Sequence, residues 1–228
     1  MVKFVLRFKF RPYARLAKRE TIWGPSFSDA GQDLLVTILL PNKRGGCYVE
    51  IGSQDPIKNN NTFMLETYLN WSGIAFELRD SYADFYNWRR KNRCVQCDAT
   101  KVDYSAIFHQ HKIAKRIHFL QVDIEPSLAT LEALRGLPHD EFRFSIIVFE
   151  HDNYQSTEKV DASSRRFLSD LGYHLLVGDV QINNNSFEDW WIDPTCLELP
   201  APLKSIKLMG LDYFEALKKI NDHLLKNH

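Results

Sequence analysis

Two acidic clusters hold the residues best suited to chemistry, Asp123-Ile124-Glu125 and Glu150-His151-Asp152. Each follows a short apolar run of strand type, Phe119 to Val122 and Ser145 to Phe149. If those strands are neighbours, several carboxylates and an imidazole meet at one rim, where like charges raise one another's pKa unless a cation compensates them. His151 is then the first choice for a general base, with Asp123 or Asp152 orienting it or acting as the base instead. A divalent ion, Mg²⁺ or Mn²⁺, held by Asp123, His151 and Asp152 is the competing arrangement. A third reading makes His151 a structural hydrogen-bonding residue and the acids ordinary loop residues.

The elements that must position these groups are written as apolar runs. Further strands are expected at Cys47 to Ile51, Ile74 to Leu78, Cys94 to Cys97, Tyr173 to Val177 and Glu188 to Ile192. Between the strands lie amphipathic stretches, clearest at Ser81 to Asn92 and at Leu128 to Leu137, where leucines recur at helical spacing. Ser28 or Asp29 is placed to cap a helix through Leu40, stopped by Pro41, and Leu211 to Leu225 is expected to be a helix with Phe214, Leu217, Leu224 and Leu225 on or near one face, packed on the body rather than on a second copy. The Asn59–Asn61 and Asn183–Asn185 runs suit loops. Such alternation predicts an α/β fold with a mostly parallel seven-stranded sheet and helices on both faces.

In sheets of this kind ligands sit beyond the carboxyl ends of the strands, where the strand order reverses. Gly52 follows the first of these strands, and a glycine there lets the backbone approach a ligand. Glu77 ends the next and is placed to accept hydrogen bonds from ribose hydroxyls, while Asp98 ends the third and is placed to reach an adenine. Neither G-x-G-x-x-G nor G-x-x-x-x-G-K-[ST] occurs. A nucleoside without phosphates is the implied cofactor, and S-adenosylmethionine (SAM) fits it.

The segment from Gly46 to Thr100, with Tyr48-Val49-Glu50-Ile51-Gly52, Asn60-Asn61-Thr62, Leu65-Glu66, Trp71-Ser72-Gly73-Ile74-Ala75-Phe76-Glu77 and Cys97-Asp98-Ala99, resembles the FkbM family of SAM-dependent methyltransferases. Gln32-Asp33 before it, and Val122-Asp123-Ile124-Glu125, Leu134-Arg135-Gly136-Leu137, Ile147-Val148-Phe149-Glu150-His151 and Phe187-Glu188-Asp189-Trp190-Trp191 after it, extend the likeness over most of residues 26 to 195. The resemblance implies a Rossmann-like class I methyltransferase acting on hydroxyls, often of sugars or glycans. It places Glu50, Gly52 and Ser53 at the methionine end, Glu77 at the ribose, Asp98 and Ala99 at the adenine, and Gln32 and Asp33 beside the cofactor. Glu50 stands where the family usually has Asp, the small pair usual after Gly52 is missing, and Pro126 stands where Gly is common. Rival expectations are another small-molecule or lipid-linked hydroxyl as acceptor, or a SAM-binding module without catalysis.

Charge patterning narrows the partners. Lys and Arg number 29 against 29 Asp and Glu, but residues 1 to 19 hold seven basic residues and no acidic one, which leaves the body acidic. An acidic body argues against nucleic acid and favours a cationic cofactor with an uncharged acceptor. A basic segment over residues 1–25, packed by Phe4, Leu6, Phe8 and Phe10, and one domain over 26–228 are the expected layout. No apolar run spans a membrane and no signal segment opens the chain, so a soluble cytoplasmic protein with free thiols is expected.

Other features are assigned to packing. Cys94 and Cys97 suit the core better than zinc, and Tyr82, Phe85, Tyr86 and Trp88 suit the packing face of a helix. Trp190 and Trp191 are expected to put one ring in the core and one near the surface, with sugar stacking as the alternative.

Overall fold

The apolar runs assemble into the central sheet of the computed structural model, which describes residues 19–21, 23–155, 157, 159–196 and 201–226. The basic segment expected over residues 1–25, with Phe4, Leu6, Phe8 and Phe10, lies largely outside these residues. The strands are β1 (Arg19–Thr21), β2 (Gly24–Ser26), β3 (Cys47–Ile51), β4 (Ser72–Glu77), β5 (Arg93–Gln96), β6 (Arg116–Val122), β7 (Arg143–Glu150), β8 (His174–Ile182), β9 (Asn185–Ile192) and β10 (Leu208–Met209). The helices are α1 (Gln32–Leu39), α2 (Phe63–Leu69), α3 (Asp80–Arg89), α4 (Tyr104–Gln110), α5 (Ser127–Gly136), α6 (Asp161–Asp170), α7 (Ala201–Ser205) and α8 (Tyr213–Leu225).

β1 and β2 form an antiparallel pair, and the remaining strands form one sheet in the order β10-β8-β9-β7-β6-β3-β4-β5. Pairing is parallel from β7 through β6, β3 and β4 to β5, while β9 runs antiparallel to both β7 and β8. The seven expected strands are all present, and the two-residue β10 adds an eighth at the edge. Strand order reverses between β3 and β6, which is where a ligand crevice is expected. The turn between β8 and β9 is made by Asn183 and Asn184 with φ of 53° and 64°. Two left-handed residues give the turn the twist of its flanking strands, and asparagine tolerates that region better than most.

Alternation along the strands divides the core in two. Tyr48, Phe119, Val148 and Trp190 face α1, α2 and α8, whereas Val49, Leu120, Phe149 and Trp191 face α4, α5 and α6. Trp190 and Trp191 therefore both lie in the core, on opposite faces, and the expected ring near the surface is not there. The reason is that β9 lies between β7 and β8 with helices on both sides.

Three further expectations are corrected. Helix α1 is capped by Gly31 in the left-handed region, because Ser28 turns its hydroxyl to Asp33. In α3 only Ala83 and Tyr86 are buried, and Trp88 is 75% exposed. In α8 the buried stripe is Ala216, Leu217 and Ile220, with Phe214 and Leu225 exposed. Among the described residues no helix is long and apolar enough to cross a membrane.

Candidate functional site

A cavity of about 500 Å³ opens beyond the carboxyl ends of β3, β4, β6 and β7. Seven of its twenty lining residues are Asp or Glu, and a single one, Arg79, is basic. Asp29, Glu50, Glu77, Asp123, Glu125, Glu150 and Asp152 supply the carboxyls.

The β3 side is built on Glu50 and the loop that follows. Glu50 is buried at the end of β3 and accepts hydrogen bonds from Thr62 Oγ1 (2.8 Å) and Asn60 Nδ2 (3.3 Å). Burial pushes its carboxyl up to about 7, although the nearby charge of Arg90 works the other way. Arg90 itself is buried and donates to Glu66, Asn60, Thr62, Tyr48 and the carbonyl of Pro56. One guanidinium thus ties β3, α2 and the loop between them into the wall that holds Glu50.

Gly52 is required for a reason other than ligand approach. Its φ is +88°, and a Cβ there would stand 1.7 Å from the backbone oxygen of Asp123. The close approach is between the ends of β3 and β6. The next N–H groups are turned inward, since Gly52 N and Ser53 N both donate to Phe76 O, and Gln54 N donates to Glu77 Oε2 at 2.8 Å. A phosphate needs such donors free, so this loop does not cradle one. Glu77 also accepts from Arg79 N at 2.9 Å, which fixes its carboxylate at the cavity edge.

On the β6 and β7 side, Asp123 and Glu150 are neighbouring carboxyls at the ends of adjacent strands, both lining the cavity. Burial and the neighbouring carboxylates raise both, Asp123 to about 6. Asp152 occupies the left-handed region at φ 48°, and its N–H and that of His151 both donate to Phe187 O on β9. Gln32 lines the cavity and donates through Nε2 to Glu188 Oε2 at 2.9 Å. Burial pushes Glu188 up to about 8.

The structure brings Gln32, Glu50, Gly52, Ser53, Glu77, Asp123 and Asp152 to this one cavity. It leaves four expected residues out. Asp33 is buried and accepts from Ser26, Ser28 and the N–H of Phe27, fastening the end of β2 to α1. Asp98 caps the turn Ala99–Lys101 by accepting from Thr100 and pairs with Lys101 at 2.9 Å. Ala99 accepts from the hydroxyl of Tyr104 through its carbonyl.

His151 is fully buried behind the cavity, where its Nδ1 accepts from Asn153 N and its Nε2 stands 3.5 Å from Asp189 and 3.9 Å from Asp179. The imidazole therefore has no path to a compound in the cavity. The ligand triad expected of Asp123, His151 and Asp152 does not converge on one point. Among the described residues the cluster of metal-ligand type is His151, Asp179 and Asp189. There Arg165 holds Asp189 through two 2.7 Å bonds and Asp179 at 2.9 Å. A guanidinium with that geometry already supplies a cation to the cluster and engages oxygens of both carboxylates. Burial opposes the charge of Asp189, yet the hydrogen bonds from Arg165 and the nearby His151 imidazole hold its carboxyl below the usual value.

Sequence reasoning gave no role to Asn59, Asn61, Tyr82, Tyr154 or Phe187, all of which line the cavity. The Asn59–Asn61 run was legible as a loop, and its place directly after the β3 strand end was the usable signal.

No protein-family model matches this chain, and neither does any curated protein sequence. The FkbM resemblance therefore stands on the quoted residues alone. Among solved structures, the chain is similar to an rRNA methylase from Streptococcus thermophilus, at 12% identity and a TM-score of 0.45 over 72% of this chain and 93% of that one. It is similar to a precorrin-6y C5,15-methyltransferase from Geobacter metallireducens at 15% identity and a TM-score of 0.43, covering 71% of this chain and 84% of that one. It is also similar to fibrillarin from Aeropyrum pernix, solved with S-adenosyl-L-methionine bound, at 13% identity and a TM-score of 0.45, covering 71% of this chain and 73% of that one. At such identities and TM-scores nothing about this chain's ligand or acceptor follows from them.

Proposed function

We propose that the chain is a SAM-dependent methyltransferase whose acceptor presents a hydroxyl, on a sugar or glycan by the FkbM resemblance. The observation that carries the cofactor is the loop after β3, which directs its N–H groups inward while Glu77 faces the cavity from the end of β4. That arrangement suits a ribose without phosphates, and the acid-rich lining suits a cation such as a sulfonium. Glu77 would hold the ribose and Glu50 with Ser53 the methionine end, while the adenine role of Asp98 and Ala99 rests on the resemblance alone.

When bound, SAM supplies an activated methyl group, so the protein has to align the acceptor and take its proton. Asp123 is the residue for that proton. It lines the cavity, and burial among like charges raises Glu150 well above the usual carboxyl value, which leaves Asp123 as the member of the pair suited to accept a proton. Its value of about 6 suits a general base near neutral pH. Asp152, held in the left-handed region beside it, orients the acceptor. The proposed mechanism uses no metal, because Arg165 already engages both carboxylates of the His151, Asp179 and Asp189 cluster.

Calorimetry with SAM, S-adenosylhomocysteine, ATP and NAD tests the reading. Heat from the first two alone supports it, and heat from none, or only from the phosphate-bearing pair, overturns it. A methyl-transfer screen over glycosides, polyphenols and lipid-linked alcohols then identifies the acceptor.

A further inference from the structure

Four carboxyl groups, Asp123, Glu125, Glu150 and Asp152, gather at the ends of β6 and β7, beyond the part of the cavity assigned to the ribose and methionine. All four line the same cavity as the hydroxyl-bearing Tyr154. The single basic lining residue, Arg79, follows β4 on the other side of the switch point. The carboxyls are spread round a cavity of about 500 Å³, and among the described residues no three of them bring ligand atoms together as a metal site does. A spread of acceptors fits a group with several N–H donors better than a point ion.

A second, independent observation points the same way. Asn61 lines this cavity, is only 7% exposed, and has a carboxamide oxygen with no hydrogen-bond partner. A buried acceptor without a donor is costly, and a ligand N–H relieves it. SAM contributes a sulfonium and an ammonium offset by its own carboxylate, which leaves most of the negative charge at the β6 and β7 ends uncompensated.

We infer that the compound accepting the methyl group carries a protonated amine, held by the carboxyls of Glu125, Glu150 and Asp152 with Tyr154 on the same cavity wall, while Asp123 faces the hydroxyl. This rests on the methyltransferase reading and replaces the uncharged acceptor expected from overall charge balance. A cation beside an aromatic face and among carboxylates gains from both. An amino sugar satisfies this and the hydroxyl requirement together.

The test compares matched pairs. The protein, with and without S-adenosylhomocysteine, is titrated calorimetrically with methyl glucosaminide against its N-acetyl form, and with ethanolamine against ethylene glycol. The amine of each pair is expected to bind at least about ten-fold more tightly at about 20 mM salt, with the advantage shrinking at about 300 mM. Asp152→Asn and Glu125→Gln are each expected to reduce the ratio, and Asp84→Asn, on the exposed side of α3, to leave it unchanged. Neutral compounds binding as well as the amines, or amines that fail to bind, overturn the inference. Absence of heat from SAM and its demethylated product is a separate result, which removes the methyltransferase reading whatever the amines do.

Discussion

Arg90 and Glu50 are joined through one hydroxyl, because Thr62 Oγ1 accepts from Arg90 Nη2 at 3.0 Å and donates to Glu50 Oε2 at 2.8 Å. The cavity wall thus depends on a residue that does not line it. Thr62→Val removes the bridge and takes one buried hydrogen-bond partner each from Arg90 and Glu50, which costs about 1–3 kcal/mol. Thr62→Ser keeps the bridge and is expected to unfold in urea close to the natural protein. Arg90→Met strips a buried cation from Glu66 as well and is expected to cost about 3–5 kcal/mol. A Thr62→Val protein as stable as the natural one would show that the bridge contributes nothing.

Glu50 makes stability and ligand binding depend on pH in opposite directions. Its folded-state value of about 7 lies above the ordinary 4.5 because of burial. Between those two values the folded protein holds a proton that the unfolded chain has released, so stability falls as pH rises through this window and levels off above it. A cationic ligand prefers the ionised carboxylate, so SAM affinity is expected to rise as pH passes through about 7. Glu50→Gln should flatten both profiles, measured as melting temperature and as dissociation constant across pH. Identical profiles for the two proteins would contradict the assignment.

Gly52→Ala brings two penalties together, a side chain at φ +88° and a Cβ 1.7 Å from Asp123 O. The ends of β3 and β6 must separate to admit it. A loss of at least about 2 kcal/mol is expected from the combined strain, read by denaturant titration. SAM binding should fall with it, since Ser53 and Asp123 move apart.

Arg165 stands where a metal would otherwise bind. Exhaustive EDTA is expected to leave turnover and melting temperature of the natural protein unchanged. Arg165→Ala leaves His151, Asp179 and Asp189 without their cation, within 4.8 Å of one another. Zn²⁺ is then expected to raise the melting temperature of the variant and not that of the natural protein. A natural protein already stabilised by Zn²⁺ or Mg²⁺ would contradict the account of Arg165.

The strands of the central sheet were legible because their apolar runs are long and bounded. The pieces that were not legible carry weak patterns. Helix α6 buries only Ser164 and Leu168, α4 buries only Tyr104 and Phe108, and β10 is two residues long, so none repeats a period. At the site, Gly52 and Glu77 were legible as strand-end residues and Glu50 and Ser53 through the resemblance, and all four line the cavity. His151 was misplaced for a reason the sequence contains. Successive strand residues face opposite sides, so Glu150 at the end of β7 points one way and its neighbour the other. Acid residues adjacent in sequence suggested a shared rim, and the alternation that separates them was not applied past the strand end. Asp152 returns to the cavity only through its left-handed backbone, which asparagine-like side chains permit but do not announce.

The hold of Phe187 O on the N–H groups of His151 and Asp152 has a consequence for synthesis on the ribosome. β7 is translated well before β9, yet the acidic wall takes its final shape only when β9 inserts between β7 and β8. A nascent chain that has not yet released residue 192 has β3, β4, β6 and β7 but lacks the carbonyl that fixes His151 and Asp152. The shape of the acidic wall is therefore settled after the strands that carry its carboxyls have been made.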